Sequence, residues 1–148
     1  MQIDFRIIDH SSKDYESVVA LRQEILRTPL GLVFTKEELE REKNNIQVAG
    51  FIENEVVVTA SLAKEQPSYR MRLVAVKENL QGLGVGSKLL DFCENYAKKV
   101  GASSIYCHAR NHAVSFYTKK GYLPEGQDFT EVGIMHIRMR KKLSECLN

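Results

Sequence analysis

The chain has 148 residues, a length that fits one compact domain with an apolar core of its own. Hydrophobic residues make up 43% and charged residues 27%, which excludes a disordered chain. The net charge of +2 comes from well-mixed signs, whereas nucleic-acid-binding proteins cluster Lys and Arg, so we expect no nucleic-acid partner. No apolar run approaches the roughly 20 residues of a membrane span, and the first residues lack signal-peptide order. We therefore expect a cytoplasmic protein with no membrane partner.

The three cysteines include no C-x-x-C pair, so they fit neither a disulfide framework nor a zinc site. Cys93 and Cys107 fall in apolar segments, and we expect both to be buried like small hydrophobic side chains. Cys146 lies in the tail, where we expect it to be exposed. No metal is predicted.

Hydrophobic spacing predicts the first elements of the chain. Alternating apolar residues over 3–7 predict a strand, and helical spacing over 14–27 predicts the first helix. Thr35 followed by Glu38 is a capping-box pattern, which predicts a short second helix. We expect its acidic residues at 37–42 to form a solvated face.

The same reasoning covers the remainder of the chain. Strands are predicted over residues 47–52 and 56–62 as a hairpin, then over 69–76, 104–109 and two pieces within 128–139. Helices are predicted over 87–100, ended by Gly101, and over 112–120. The order β-α-α-β-β-β-α-β-α-β-β predicts a single α/β domain over residues 1–148 with a mixed central sheet.

A glycine cluster, Gln81-Gly82-Leu83-Gly84-Val85-Gly86-Ser87, lies between a predicted strand and a predicted helix. Alternating glycines let the backbone approach a ligand, and the start of the helix favours phosphate oxygens. A Rossmann fingerprint fails because the third glycine comes one residue early, and a P-loop fails on its spacing. The pattern Q-x-x-G-x-G remains, with a merely tight turn as the alternative.

Three segments together resemble the GNAT (GCN5-related) N-acetyltransferase superfamily. Gln81, Gly84 and Gly86 match its acetyl-CoA loop, and residues 72–76 look like the strand that pairs with pantetheine. Asn111, followed by Ala113-Val114-Ser115-Phe116-Tyr117 and Gly121-Tyr122, is similar to its second cofactor segment. The resemblance implies a mostly antiparallel central sheet with helices on both faces.

The resemblance also implies acetyl-CoA as co-substrate, held in a gap between residues 72–76 and 104–109. No metal takes part in such a reaction. The implied cofactor-binding residues are Val74, Val76, Gln81, Gly82, Leu83, Gly84, Val85, Gly86, Ser87, Asn111 and Phe116.

A narrower likeness is to the glyphosate N-acetyltransferase branch, in which arginines hold an anionic small substrate and a histidine acts as base. Carried over by position, the arginines are Arg27, Arg72 and Arg110. The resemblance implies His136 as the base and Tyr117 as the acid. The chain departs from the branch at Met135, where a proline would stand, and over residues 125–131.

Each of these residues also has a structural interpretation. Tyr117 can be a core aromatic, His136 a structural histidine, and the arginines solvated surface charges. The chemistry favours the functional interpretations. An ammonium must lose a proton before it attacks a thioester, and a leaving thiolate gains from a positioned phenol. Arginines in central strands require an anionic partner.

The sequence therefore predicts an acetyl-CoA-dependent N-acetyltransferase that modifies the amine of a small, anionic, amino-acid-like molecule by direct attack. Two alternatives stay open at this point. One is a protein or peptide N-acetyltransferase, and the other is an acetyl-CoA-binding sensor without catalysis. A homodimer also stays open.

Overall fold

The structure, a computed structural model, describes residues 1–143. Its strands are β1 (Asp4–Ile8), β2 (Ile46–Ile52), β3 (Glu55–Glu65), β4 (Ser68–Val76), β5 (Ser104–Arg110), β6 (Leu123–Glu131) and β7 (Ile134–Lys142). Its α-helices are α1 (Lys13–Arg22), α2 (Lys36–Arg41), α3 (Val85–Lys99) and α4 (Val114–Lys119). The predicted element order is confirmed.

The seven strands form one sheet in the order β1-β2-β3-β4-β5-β7-β6. The pairs β1–β2, β2–β3, β5–β7 and β6–β7 are antiparallel, whereas β4 and β5 are parallel. The predicted mixed, mostly antiparallel sheet is therefore confirmed. Within the described residues, none of the helices has both the length and the apolar character needed to cross a membrane.

Contacts within the chain divide it into two compact units. Unit 1 comprises Met1–Ala63 and Leu73–Cys93, and unit 2 comprises Lys64–Arg72 and the described residues from Glu94 onward. The loop 81–87 thus belongs to unit 1. Tyr117 and His136 belong to unit 2.

Helices cover both faces of the sheet in unit 1. On one face, Tyr15, Val18 and Leu21 of α1 pack with buried strand residues such as Ala49 and Phe51. On the other face, the ring of Phe92 in α3 stacks on Phe5 of β1, with centroids 5.5 Å apart.

Gly50 in β2 leaves the space that this second face needs. A Cβ atom at Gly50 would lie 2.5 Å from Cγ1 of Val58 and 2.8 Å from Cε1 of Phe5. Real Cβ atoms do not approach other atoms so closely, because a packed interior has no spare volume. The phenyl ring of Phe5 therefore depends on a glycine at this position.

The first helix is less regular than predicted. It is α-helical only to Arg22, continues as a π-helix over Gln23–Arg27 and ends in a 3₁₀ turn over Thr28–Leu30. The side chain of Gln23 donates to the carbonyl of Leu32 (2.8 Å) and accepts from the amide of Phe34 (3.1 Å). The residue that begins the π-helix thus holds the following loop in place.

The acidic segment after Thr35 is partly buried, so the predicted fully solvated face is wrong. The capping box of Thr35 and Glu38 is present as predicted. Glu42, however, is buried, and its carboxylate accepts hydrogen bonds from Ser61 and Asn45. A buried carboxylate without such donors would carry a large desolvation cost. These bonds explain why this acidic residue lies inside the protein.

In unit 2, β5 pairs with residues 68–71 of β4 on one side and with β7 on the other. Cys107 is buried here, and Cys93 is buried in unit 1, as predicted. Cys146 lies outside the described residues. β6 and β7 are longer than the two predicted pieces, since β6 begins at Leu123 and is almost wholly exposed.

Candidate active site

The loop between β4 and α3 requires glycine for its backbone conformation. Gly82 has φ +79° and Gly84 has φ +84°, a region that residues with a side chain rarely adopt. A Cβ atom at either position would meet nothing within 4 Å. The space beside both glycines can therefore admit a ligand close to the backbone.

The loop passes directly into α3, which begins at Val85 and not at Ser87 as predicted. The amide of Lys88 donates to the carbonyl of Gly84 (3.2 Å), so the amides of residues 85–87 precede the helical hydrogen bonds. The side-chain amide of Gln81 donates to the carbonyl of Val76 (3.0 Å) and ties the loop to the end of β4. Leu83 is exposed and Val85 is buried. The first turn of α3 thus presents amide donors that suit phosphate oxygens.

Strand β4 is irregular next to this loop. Leu73 has φ +54°, a conformation that costs a leucine of order 1 kcal/mol and marks a local break in the strand. Val74 and Val76 follow it and are half-buried. Lys77 continues the strand hydrogen-bonding, since its amide donates to the carbonyl of Val57 (2.8 Å).

Tyr117 lies in α4 and is buried among aromatic side chains. Its ring meets Phe116 and Tyr122 edge to face, with centroids 5.1 and 5.4 Å away. Burial raises the pKa of the Cys107 thiol to about 12, and a hydrogen bond from Tyr117 acts in the opposite direction. The phenol of Tyr117 is therefore held at its hydroxyl as well as at its ring.

The two other residues of this segment flank α4 differently. Asn111 is exposed and begins a 3₁₀ turn over Asn111–Ala113, and Phe116 is half-buried beside Tyr117. Both positions are within unit 2.

His136 and Arg110, predicted as base and anion-binding residue, are direct cross-strand partners. The imidazole of His136 is buried, and its Nδ1 lies 2.8 Å from the carbonyl oxygen of Ile134. A carbonyl only accepts, so Nδ1 carries a proton, and in the neutral ring the lone pair is on Nε2. Phe129 stacks on the ring at 5.9 Å between centroids. The tautomer of His136 thus suits a base acting through Nε2.

The other two predicted arginines lie in different units. Arg72 is half-buried and follows Met71, which pairs with Cys107 across β4 and β5. Arg27 belongs to unit 1, where its guanidinium pairs with Glu38 (2.9 Å) and lies 4.0 Å over the ring of Phe34. Burial raises the pKa of Glu38, but hydrogen bonds from Thr35 and Arg27 outweigh it and hold that pKa below its usual value.

Three residues that the sequence analysis did not select lie together on the unit 2 sheet. The Nη2 atom of Arg70 is 2.8 Å from Nδ1 of His108, which is 3.0 Å from a carboxylate oxygen of Glu131. Burial lowers the pKa of His108, Arg70 lowers it further, and Glu131 opposes both. A sequence signal existed for two of them, because Arg70 and His108 alternate with buried neighbours and so share a sheet face with Arg72 and Arg110.

Other charged groups of unit 2 have partners near the end of the sheet. Arg140 makes two hydrogen bonds to Glu125, at 2.9 and 3.0 Å, and these bonds hold the pKa of Glu125 below its usual value. Both residues line a cavity of about 510 Å³ that contains none of the predicted site residues. Among residues 1–143, no cluster of His, Cys, Asp and Glu has the composition of a metal site.

The sequence comparisons define the class of the protein, an N-acetyltransferase. The chain belongs to the GNAT family, because the family model described as acetyltransferase (GNAT) domain matches residues 14–143. The predicted enzyme class is thereby confirmed.

Individual proteins are similar to this chain in sequence or in fold. The uncharacterized N-acetyltransferase YitI of Bacillus subtilis (strain 168) is 27% identical over 136 residues, 86% of this chain and 91% of YitI. The crystal structure of Escherichia coli ElaA matches with a TM-score of 0.82 at 21% identity, covering 95% of this chain and 100% of ElaA. PaiA N-acetyltransferase from Thermoplasma acidophilum, solved in complex with coenzyme A, matches with a TM-score of 0.75 at 18% identity, covering 96% of this chain and 99% of PaiA.

Proposed function

We propose that this chain is a cytoplasmic, single-domain enzyme that transfers acetyl from acetyl-CoA to the amine of a small anionic molecule. The observation that carries the proposal is the cross-strand pairing of Arg110 with His136, whose Nδ1 donates to a carbonyl and leaves Nε2 as the atom that can act as a base. A cationic residue paired with a base suits an acceptor that carries both an anionic group and an amine. The substrate class follows the likeness to the glyphosate N-acetyltransferase branch.

The acetyl-CoA pyrophosphate is assigned to the loop 81–87. Two glycines of left-handed conformation with open space beside them, and the first turn of α3, support this assignment. Val74 and Val76 offer backbone groups for the pantetheine arm, while Asn111 and Phe116 complete the cofactor contacts. The half-buried positions of both valines are consistent with this role.

The reaction needs no covalent enzyme intermediate. The Nε2 atom of His136 takes a proton from the acceptor ammonium, and the amine nitrogen then attacks the thioester carbonyl carbon. The amide of Val74 donates to the carbonyl oxygen as negative charge develops there. The carbon–sulfur bond breaks, and the leaving thiolate takes the phenol proton of Tyr117. The product nitrogen, which carries one proton too many after the attack, returns a proton to the Tyr117 phenolate. Alignment of the two substrates supplies much of the acceleration.

The acceptor's anionic group is assigned to the arginines predicted from sequence. Arg72 and Arg110 lie on the unit 2 strands, and their planar guanidinium groups bind a carboxylate or phosphonate through two hydrogen bonds. The guanidinium of Arg27 also pairs with Glu38, so an acceptor would share this residue with a carboxylate. We expect all three arginines to contribute to acceptor affinity.

The proposal is tested by acetyl transfer from labelled acetyl-CoA to a panel of amino acids, simple amines and peptides. We expect label in the amino acids and stoichiometric release of thiol. Label in peptides alone would favour the protein acetyltransferase, and binding without transfer would favour the sensor.

The cofactor assignment has a separate test with a matched control. Gly84→Asp places a negative charge beside the proposed pyrophosphate position, and calorimetry should show loss of coenzyme A binding. Gly101→Asp introduces the same residue at φ +85°, also in open space, and should leave that affinity within about threefold. Equal affinity in the two variants would contradict the assignment.

A further inference from the structure

Arg70, His108 and Glu131 form an ionic cluster whose members come from β4, β5 and β6 of unit 2. The Arg70 guanidinium contacts His108 Nδ1 at 2.8 Å and lies 3.9 Å from Glu131. Glu131 contacts the same Nδ1 at 3.0 Å. A single nitrogen atom thus has a cation and an anion as competing partners.

These two contacts cannot both be hydrogen bonds. A guanidinium only donates, so its bond requires a lone pair on Nδ1, whereas a carboxylate only accepts and requires a proton there. Burial favours the neutral ring of His108. With the neutral ring accepting from Arg70, the carboxylate of Glu131 keeps only its 3.9 Å contact with the guanidinium. Glu131 is therefore the weakly held member of the cluster.

Burial also separates Glu131 from Arg70 and His108. The side chains of Arg70 and His108 are 23% and 14% exposed, whereas that of Glu131 is 44% exposed. In the part of the chain that the structure describes, Nε of Arg70 and Nε2 of His108 are buried without a hydrogen-bond partner. The two less exposed members of the cluster thus contact a carboxylate that solvent reaches.

We propose that the Arg70 guanidinium, positioned by its hydrogen bond to His108, forms an anion subsite for the acceptor, and that Glu131 occupies this subsite until the acceptor's carboxylate displaces it. The inference rests on the proposed function and adds a basis for specificity. An amine without an anionic group cannot replace Glu131, so it gains no binding energy from the subsite. Glu131 thereby selects against neutral amines.

The kinetic test compares amino acids with their carboxamides as acceptors. Arg70→Gln should raise the KM for the acids about tenfold or more and leave the KM for the amides within twofold, because a charged hydrogen bond is lost. Glu131→Gln should lower the KM for the acids about threefold or more, because a neutral amide competes poorly for the guanidinium. We therefore expect the KM for the acids to rise in Arg70→Gln and to fall in Glu131→Gln.

Arg138→Gln is the matched control. Arg138 is the cross-strand partner of His108 and lies 3.8 Å from Glu125, so the variant removes a neighbouring positive charge without removing a group that hydrogen-bonds within the cluster. Its ratio of acid KM to amide KM should change less than twofold. A change as large as that of Arg70→Gln, or a higher acid KM in Glu131→Gln, would overturn the proposal.

A binding measurement separates this proposal from the proposed function. N-acetylglycine carries a carboxylate but no reactive amine, and it should shift the His108 imidazole resonances saturably in NMR titrations. Glu131→Gln should bind it about threefold more tightly, and this half-exposed residue can be changed even if Arg70→Gln fails to fold. A saturable shift without acetyl transfer would refute the proposed function alone. Unmoved His108 resonances in an active enzyme would refute the subsite alone.

Discussion

Loss of the hydroxyl group should affect two buried tyrosines of unit 2 differently, with activity lost at Tyr117 and stability lost at Tyr122. Tyr117→Phe keeps the edge-to-face packing against Phe116 and Tyr122 and removes one hydrogen bond to Cys107. The free energy of unfolding should fall by only about 0.5–1.5 kcal/mol. If Tyr117 protonates the leaving thiolate, kcat should fall about 10²–10⁴-fold, equivalent to about 2.7–5.4 kcal/mol of transition-state stabilisation.

Tyr122→Phe supplies the comparison. The hydroxyl of Tyr122 donates to the buried carboxylate of Glu94 at 2.9 Å, so its loss should cost about 1.5–3 kcal/mol of stability. Lys141 still pairs with Glu94 at 2.9 Å, which keeps the carboxylate compensated. We expect kcat to stay within about threefold of the unmodified enzyme.

Thiol release from acetyl-CoA measures kcat for both variants, and urea titration measures their free energies of unfolding. The expected result is a slow, stable Tyr117→Phe enzyme and a fast, less stable Tyr122→Phe enzyme. Full activity in Tyr117→Phe would show that Tyr117 only packs in the core and does not act as the acid. Equal loss of kcat in both variants would show that packing around α4, not a proton on Tyr117, limits the rate.

Three further expectations use the same assays. Arg110→Met should raise the acceptor KM by a factor that corresponds to about 1.5–3 kcal/mol of lost binding free energy, and an unchanged KM would contradict the anionic acceptor. His136→Ala should instead lower kcat and alter the acidic limb of the pH–rate profile. Glu42→Ala should lower the free energy of unfolding by about 3 kcal/mol, because buried donors lose their acceptor. Glu40→Ala removes an exposed ion pair and should lower it by less than about 1 kcal/mol. Similar urea midpoints for the two variants would contradict the buried network around Glu42. Burial lowers the pKa of His108, so below about pH 6.5 the unfolded chain binds more protons than the folded chain. The free energy of unfolding should therefore decrease as the pH falls toward 5, and His108→Gln should show a smaller decrease.

The order of elements could be predicted because apolar periodicity records which residues face the core. α1 follows this rule, since Val18 and Leu21 recur at helical spacing and are both buried. β6 does not, because nearly all of its residues are exposed and the strand is held by backbone pairing with β7. A strand without a buried face leaves no alternation in the sequence, so its first half was missed. The burial of Glu42 was missed for a related reason, since its donors come from distant residues.

The parts of the candidate site that could be predicted are those in which one short segment contains the complete residue pattern. The glycines of the loop 81–87 and the aromatic pair in α4 are local patterns. The partners of His108 are not, because they depend on the register of three strands. The pairing of β6 with β7 also shifts between Glu125 and Phe129, and no residue pattern indicates that shift. No pattern along the chain therefore connects Glu131 with Arg70.

The space left by Gly50 limits how this protein can be redesigned. Phe5 fills that space and stacks on Phe92, which lies in the helix that follows the loop 81–87. A larger residue at position 50 would displace Phe5 and thereby alter the support of α3. Transplanting the loop and α3 into another scaffold would therefore require the glycine and both phenylalanines to move together, although they are far apart in the chain. Random mutagenesis for new acceptors should spare these three positions for the same reason.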